Sequence, residues 1–182
     1  MGLLSLIRRR RYERMGFELY GAAVAAARDP FLYTGLHVPD SLDGRFDIIV
    51  VYAFLLIQRL KQEPAPGPAL AQAVFDAMFS DMDVNLREMG VGDLSVGRKV
   101  RVMWEAFHGR AAAYAAAMTA SDVAALDAAL ERNVWRGTPP PDDAIGALRR
   151  LVLAQEAQLF SQNLDSLAQG TVHFLSAEEA SQ

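Results

Sequence analysis

Hydrophobic positions recur every three or four residues over most of this chain, the period of an α-helix with one buried face. The clearest stripe is Leu70, Val74, Met78, Met82, Leu86 and Met89. A second follows Gly90-Val91-Gly92 and runs through Val96, Val100, Met103, Phe107, Ala111, Tyr114 and Met118. Breakers set the ends of each segment. A first helix is predicted over 3–28, stopped at Asp29-Pro30 because proline disfavours a helical residue before it. Residues 30–42, with His37 and Pro39, read as a loop. A second helix over 43–62 holds the apolar run Ile48 to Ile57, bounded by Asp47 and Arg59, which reads as buried and is too short to span a bilayer. The proline-rich segment 63–68 breaks it, and Pro68 suits a helix start, where a missing N–H costs nothing. Gly90 supplies a left-handed stop, and Asp93 or Ser95 caps the helix after it. Ser121-Asp122 starts a fifth helix ending at Trp135, and beyond the stiff Pro139 to Pro141 connector a last helix is predicted from Asp142 to about Gln169, capped by Gly170. Thr171 to Leu175 reads as a short extended tail. The pattern predicts an all-α fold, a single domain of about six helices in a non-repeat bundle. Alanine clusters at 22–27 and 111–117 should let helices approach closely.

Length and composition narrow the class. The 182 residues are enough for one domain with its own core. No cysteine is present, which excludes disulfides, thiolate nucleophiles and cysteine metal sites together. The net charge of −4 is unevenly spread: residues 1–14 carry five arginines against Glu13, so the remainder of the chain is more acidic than the total suggests. An acidic body argues against DNA as a partner, because nucleic-acid binding needs broad phosphate neutralisation. The basic edge suits anionic headgroups or RNA, and Leu3, Leu4 and Ile7 beside Arg8, Arg9, Arg10 and Arg11 are candidate membrane contacts. No secretory signal is visible, since the apolar residues precede the arginines. The expected location is cytoplasmic, or peripheral on the inner face of the plasma membrane. Alanine abundance with only two lysines, Lys61 and Lys99, suggests a bacterial genome rich in GC.

Phe79 to Tyr114 is the stretch densest in charged and glycine residues, and its chemistry must be weighed. Asp81, Asp83 and Asn85 begin like a calcium loop, but Leu86 stands where that loop needs glycine and Gly92 where it needs glutamate. Gly90 to Lys99 resembles a phosphate loop only superficially, lacking a preceding strand and the GK[ST] ending. The histidines, His37, His108 and His173, lie far apart, and His108 falls near Arg101 and Glu105 on a polar helix face, where solvation is expected. No catalytic, cofactor-binding or metal-binding residue is indicated. An enzyme would need a deep polar pocket converging on Asp81, Asp93, Arg98 and Arg110, whereas a solid core beneath the block would count against one. Asp83 and Arg87 form an ordinary helix-surface pair. Arg110, flanked by Phe107 and Tyr114, is expected to reach a carboxylate on a neighbouring helix, with Asp81, Asp83 or Asp93 as candidates.

The run F-x-DMD-x-NLRE-x-GVGD-x-x-VG-(R/K)-K-V from Phe79 to Val100, followed by AF-x-GR-x-x-x-Y from Ala106 to Tyr114, resembles the ubiquinol–cytochrome c chaperone family. The resemblance covers about residues 30–175. It divides the chain into a basic amphipathic helix at 1–29, a chaperone-like helical domain at 30–175 and a polar tail at 176–182. It implies a non-enzymatic assembly factor without a cofactor, which binds newly made cytochrome b and supports biogenesis of the cytochrome bc1 complex. Mitochondrial relatives work with a small helical partner near the ribosome exit; a presequence and long N-terminal extension are not seen here, so a bacterial member is expected. Asp81, Asp83, Arg87, Glu88, Asp93, Lys99, Arg110 and Tyr114 are its signature and the candidate protein-binding residues. Implied partners are cytochrome b or bc1 intermediates, with the ribosome exit region or an anionic inner-membrane surface beside them; the oligomeric state is open. An acidic body with methionine stripes would suit a client with apolar helices and basic loops, unless Met78, Met82, Met89 and Met103 are simply core. Two alternatives stand: a peripheral membrane or ribosome-associated adaptor with other clients, and a small-molecule-binding helical enzyme.

Overall fold

A computed structural model describes residues 3–136 and 138–182, with side chains described from Arg10 onward. The described residues are all-α, with no strand: α1 (Leu3–Ala26), α2 (Pro30–Thr34), α3 (Leu42–Lys61), α4 (Gly67–Glu88), α5 (Asp93–Thr119), α6 (Val123–Leu130), a π-helical turn (Glu131–Trp135), α7 (Ala144–Ser161), α8 (Leu164–Leu167) and α9 (Ala177–Ala180).

α3 is the central helix, as its sequence requires. It has no charged residue between Asp47 and Arg59, and a helix apolar all round is stable only where neighbours surround it. Fourteen of its 20 residues are buried. Ile48, Val50, Ala53, Leu56 and Leu60 have no exposed surface, and α1, α4, α7 and the π turn pack around them. Ser41 starts α3, its side chain accepting a hydrogen bond from the Gly44 N–H at 3.1 Å. α1 lies along α4, and at Gly16 the two come so close that a Cβ would sit 2.5 Å from the backbone of Ala73. Only glycine fits there.

The N-cap of α5 is Gly92, with no side-chain cap, and not the expected Asp93 or Ser95; other helix ends differ from the expected ones where distant groups decide them. Asp29-Pro30 stops α1, but the same pair starts α2: the Asp29 carboxylate accepts from the Phe31 N–H at 2.9 Å and Pro30 occupies the first turn. A short helix therefore stands in the expected 30–42 loop. The last long helix ends at Ser161 instead of running to Gln169. Buried Arg59 donates from Nε to the Leu159 carbonyl (3.0 Å) and from Nη2 to the Gln162 carbonyl (2.9 Å), satisfying the carbonyls that continued helix would have used. Asn163 then caps α8. Beyond Gly170, the backbone at His173 and Leu175 is hydrogen-bonded by the side chains of Gln162 and Gln155. α9 docks with Ala177 and Ala180 buried, the Asp29 carboxylate accepting from the Ala177 N–H at 2.8 Å. No described helix is long and apolar enough to cross a membrane.

Candidate protein-binding face

The signature block folds into the end of α4, a turn and the first half of α5. Its glycines are punctuation. Gly90 (φ 80°) ends α4 in the left-handed region, the Gly90 N–H donating to the Arg87 carbonyl at 2.9 Å and the Val91 N–H to the Leu86 carbonyl at 3.0 Å, which is a Schellman closure. Around this turn Arg87 donates from Nε to Asp83 at 2.6 Å and also bonds Asp93, tying the end of α4 to the start of α5. The hydrogen bonds to Asp83 push the Arg87 pKa up. The expected Asp83–Arg87 pair is therefore present, with a third member. The remaining would-be calcium ligands are engaged elsewhere: Asp81 accepts from the Tyr20 hydroxyl at 2.8 Å, and Asn85 donates to the Asp81 carbonyl. Among the described residues no three His, Asp or Glu side chains gather as a metal ion would need.

Arg110 does reach a carboxylate on a neighbouring helix, but the partner is Asp47 of α3 and not Asp81, Asp83 or Asp93. Its Nη2 lies 2.7 Å from Asp47 Oδ1, and its guanidinium carbon is 5.6 Å from the centre of the Phe46 ring. Asp47 has no exposed surface and also accepts from Arg136 Nε (2.6 Å) and Nη2 (3.0 Å), while Arg136 Nη1 reaches Asp43 at 2.9 Å. Burial pushes the Asp47 carboxyl above its usual range, and the Arg136 hydrogen bond and the charge of Arg110 pull it back. Arg136 gets there because it adopts a left-handed conformation (φ 48°) directly after the π turn. Tyr114 also points inward, its ring 5.6 Å from Phe54 and its hydroxyl pushed up to about 12 by burial. Arg110 and Tyr114 are thus interior fastenings. Arg87, Glu88, Asp93 and Lys99 stay on the surface, with Asp83 half-buried.

α5 is unlike α3. Of its 27 residues only Val96, Phe107, Tyr114 and Ala117 are buried. Val100, Met103, Ala111 and Met118, the other members of its predicted stripe, are half-buried. Met78 and Met82 are core, whereas Met89 is 53% exposed. A groove lies on each side of α5. One, of about 580 Å³, has an apolar floor that includes Phe46, Ile49, Met82 and Met103, and Asp81, Arg98 and Arg110 also line it. Asp93 is not among its walls. The groove is open to solvent and its floor is predominantly apolar, and Asp43 and Arg136, which also line it, are paired with each other at 2.9 Å. The second, of about 710 Å³, is lined by Phe75, Phe107, Trp104, His108 and the alanines of α5. His108 is exposed as expected but not free: its ring lies against Trp104 at 3.9 Å, with Nδ1 2.9 Å from the Trp104 carbonyl oxygen. Arg101 and Glu105 pair with each other instead, at 3.0 Å.

Of the candidate membrane contacts, Arg10 and Arg11 are exposed. The side chains of Leu3, Leu4, Ile7, Arg8 and Arg9 lie outside the described residues. Sequence reasoning missed Asp47, Arg136 and Trp104. An acid at the head of an otherwise apolar helix was a usable signal for Asp47, since a buried charge demands partners. Nothing local marked Arg136.

Comparison with known proteins agrees with this architecture. A crystal structure of the Cbp3 homolog from Brucella abortus matches with a TM-score of 0.83 at 34% identity, covering 98% of this chain and 99% of that one. The Xenopus laevis ubiquinol-cytochrome-c reductase complex assembly factor 1 is 27% identical over 97 residues, 53% of this chain. The chain spans about half the length of that relative (48%). The ubiquinol-cytochrome C chaperone family model matches residues 34–174, from the end of α2 through the segment after α8. The chain belongs to the ubiquinol–cytochrome c chaperone family.

Proposed function

We propose that this protein is a non-enzymatic assembly chaperone that holds newly made cytochrome b during biogenesis of the cytochrome bc1 complex. The observation that carries the reading is the thinly buried α5, a long helix with a groove on either side, in a chain of this family. A helix that buries four residues of 27 leaves much of its surface for a partner, and half-exposed methionines suit a client whose shape changes as it folds. Arg110 of the signature, with Asp47 and Arg136, ties α3 and α5 to the end of the π turn, so the grooves exist before the client arrives. Such preorganisation lowers the entropic cost of binding.

Deleting the gene in the parent organism tests the proposal. The expected result is loss of assembled bc1 complex and of quinol–cytochrome c reductase activity, with cytochrome b turned over soon after synthesis and cytochrome b mRNA unchanged. Normal reductase activity and normal cytochrome b in the deletion strain would remove the proposal.

A further inference from the structure

The groove between α1 and α5 has the opposite charge to the molecule that contains it. Six cationic side chains (Arg28, Arg45, Arg98, Lys99, Arg110 and Arg136) and two carboxylates (Asp43 and Asp81) line it, a balance of +4 in a chain whose net charge is −4. Part of that charge is used internally: Arg45 pairs with Asp40, and Arg110 and Arg136 with Asp47. Counting Asp40 and Asp47 as well still leaves +2. Arg28, Arg98 and Lys99 have no ion-pair partner among the described residues, and the groove places them on both its walls, Arg28 from the turn that follows α1 and Arg98 with Lys99 from α5. Between those walls lie Met82 and Leu86 of α4 and Met89 just past its end.

The shape of the apolar part selects the occupant. Leu42, Met89 and Val102 line the groove yet are 61%, 53% and 59% exposed, so apolar surface continues out to its lip. A compact small molecule seated on the floor would leave that lip wet. A helix, about 10 Å across with its side chains, covers floor and lip together. We infer that this groove takes an amphipathic helical segment whose apolar stripe is flanked on both sides by aspartate or glutamate: the stripe lies on Met82, Leu86 and Met103 while the flanking acids meet Arg28 on one wall and Arg98 and Lys99 on the other. The acidic body would suggest affinity for basic loops; at this groove the preference is reversed. The inference rests on the reading of the α5 face as the client surface and adds the chemistry of the segment it receives.

Fluorescence anisotropy with synthetic helical peptides of about 18 residues tests it. Three carry the same leucine–alanine stripe, flanked by glutamate, by glutamine or by lysine, and each is titrated into the full chain. The glutamate peptide should bind most tightly, its affinity falling as salt is raised. Arg98→Glu with Lys99→Glu, both exposed and therefore leaving the melting curve unchanged, should weaken that peptide at least about tenfold, since two attractive pairs become repulsive. Equal binding of the three peptides, a preference for lysine flanks, or no effect of the charge reversal overturns the inference. So does binding of anionic phosphatidylglycerol vesicles with no binding of any peptide. The two readings fail separately. A missing charge preference beside a bc1-deficient deletion strain sinks only the acidic segment, and a clear preference beside normal bc1 complex sinks only the cytochrome b assignment.

Discussion

Asp47→Ala is expected to lower the unfolding free energy by about 3–5 kcal/mol, more than any change of the surface charges in the signature block. Asp47 has no exposed surface and accepts from Arg136 at 2.6 and 3.0 Å and from Arg110 at 2.7 Å. Removing it strands the Arg110 guanidinium beneath Phe46, a buried charge without a carboxylate. The reverse change is milder, because in Arg110→Ala the carboxylate keeps both bonds to Arg136. Asp47→Asn should fall between them, retaining an acceptor but no charge. Urea unfolding of the three variants checks the order, and the Asp47→Ala midpoint in a thermal melt should drop by about 10 °C. A loss in Asp47→Ala no larger than in Arg110→Ala would show that Asp47 is not the shared anchor of the two arginines. By contrast, Arg87→Ala removes only exposed pairs to Asp83 and Asp93 and should leave the curve nearly unchanged.

Trp135→Ala should cost a comparable amount, about 3–5 kcal/mol, through the cavity left by a side chain only 1% exposed. Two further links make this position sensitive. Trp135 Nε1 donates to the His37 carbonyl at 3.1 Å, joining the π turn to the loop that leads into α3. Arg136 follows at once in a left-handed conformation, so the tryptophan also fixes where that guanidinium points. Trp135→Phe keeps most of the packing and loses the indole hydrogen bond, for an expected loss of about 1–2 kcal/mol. Equilibrium unfolding of both variants decides between these contributions: a phenylalanine variant as unstable as the alanine one would mean that the bond to His37, and not the buried ring, dominates.

Much of the fold was legible because it is local. Periodicity placed the long helices α1, α3, α4 and α5 within a few residues of their ends, and Gly90 was recognisable as a left-handed stop from the glycine and the stripe before it. What escaped was set by groups distant in the chain. α7 stops at Ser161 because Arg59, on another helix, takes the carbonyls of Leu159 and Gln162. α2 exists because one side chain, Asp29, serves both as its cap and as the acceptor for the Ala177 N–H near the C-terminus. The candidate site was legible to the same degree. Sequence identified Arg110 as a residue reaching across helices, but choosing Asp47 over nearer acids required knowing that α3 lies beneath α5. Net charge was the least informative quantity: summed over the chain it is acidic, and the sum conceals a groove lined by six cationic side chains against two carboxylates.

If the α5 face holds newly made cytochrome b, as proposed, pulse-labelling the parent organism, crosslinking and recovering the tagged protein will show it. Wild-type protein should carry labelled cytochrome b above other inner-membrane proteins made in the same pulse, and the label should chase off as bc1 complex appears. Met89→Asp with Val102→Asp, which charges the exposed lip of the groove without touching the core, should abolish that recovery while leaving the melting curve intact. Recovery of other membrane proteins to the same extent as cytochrome b, or undiminished recovery with the lip charged, would contradict the account.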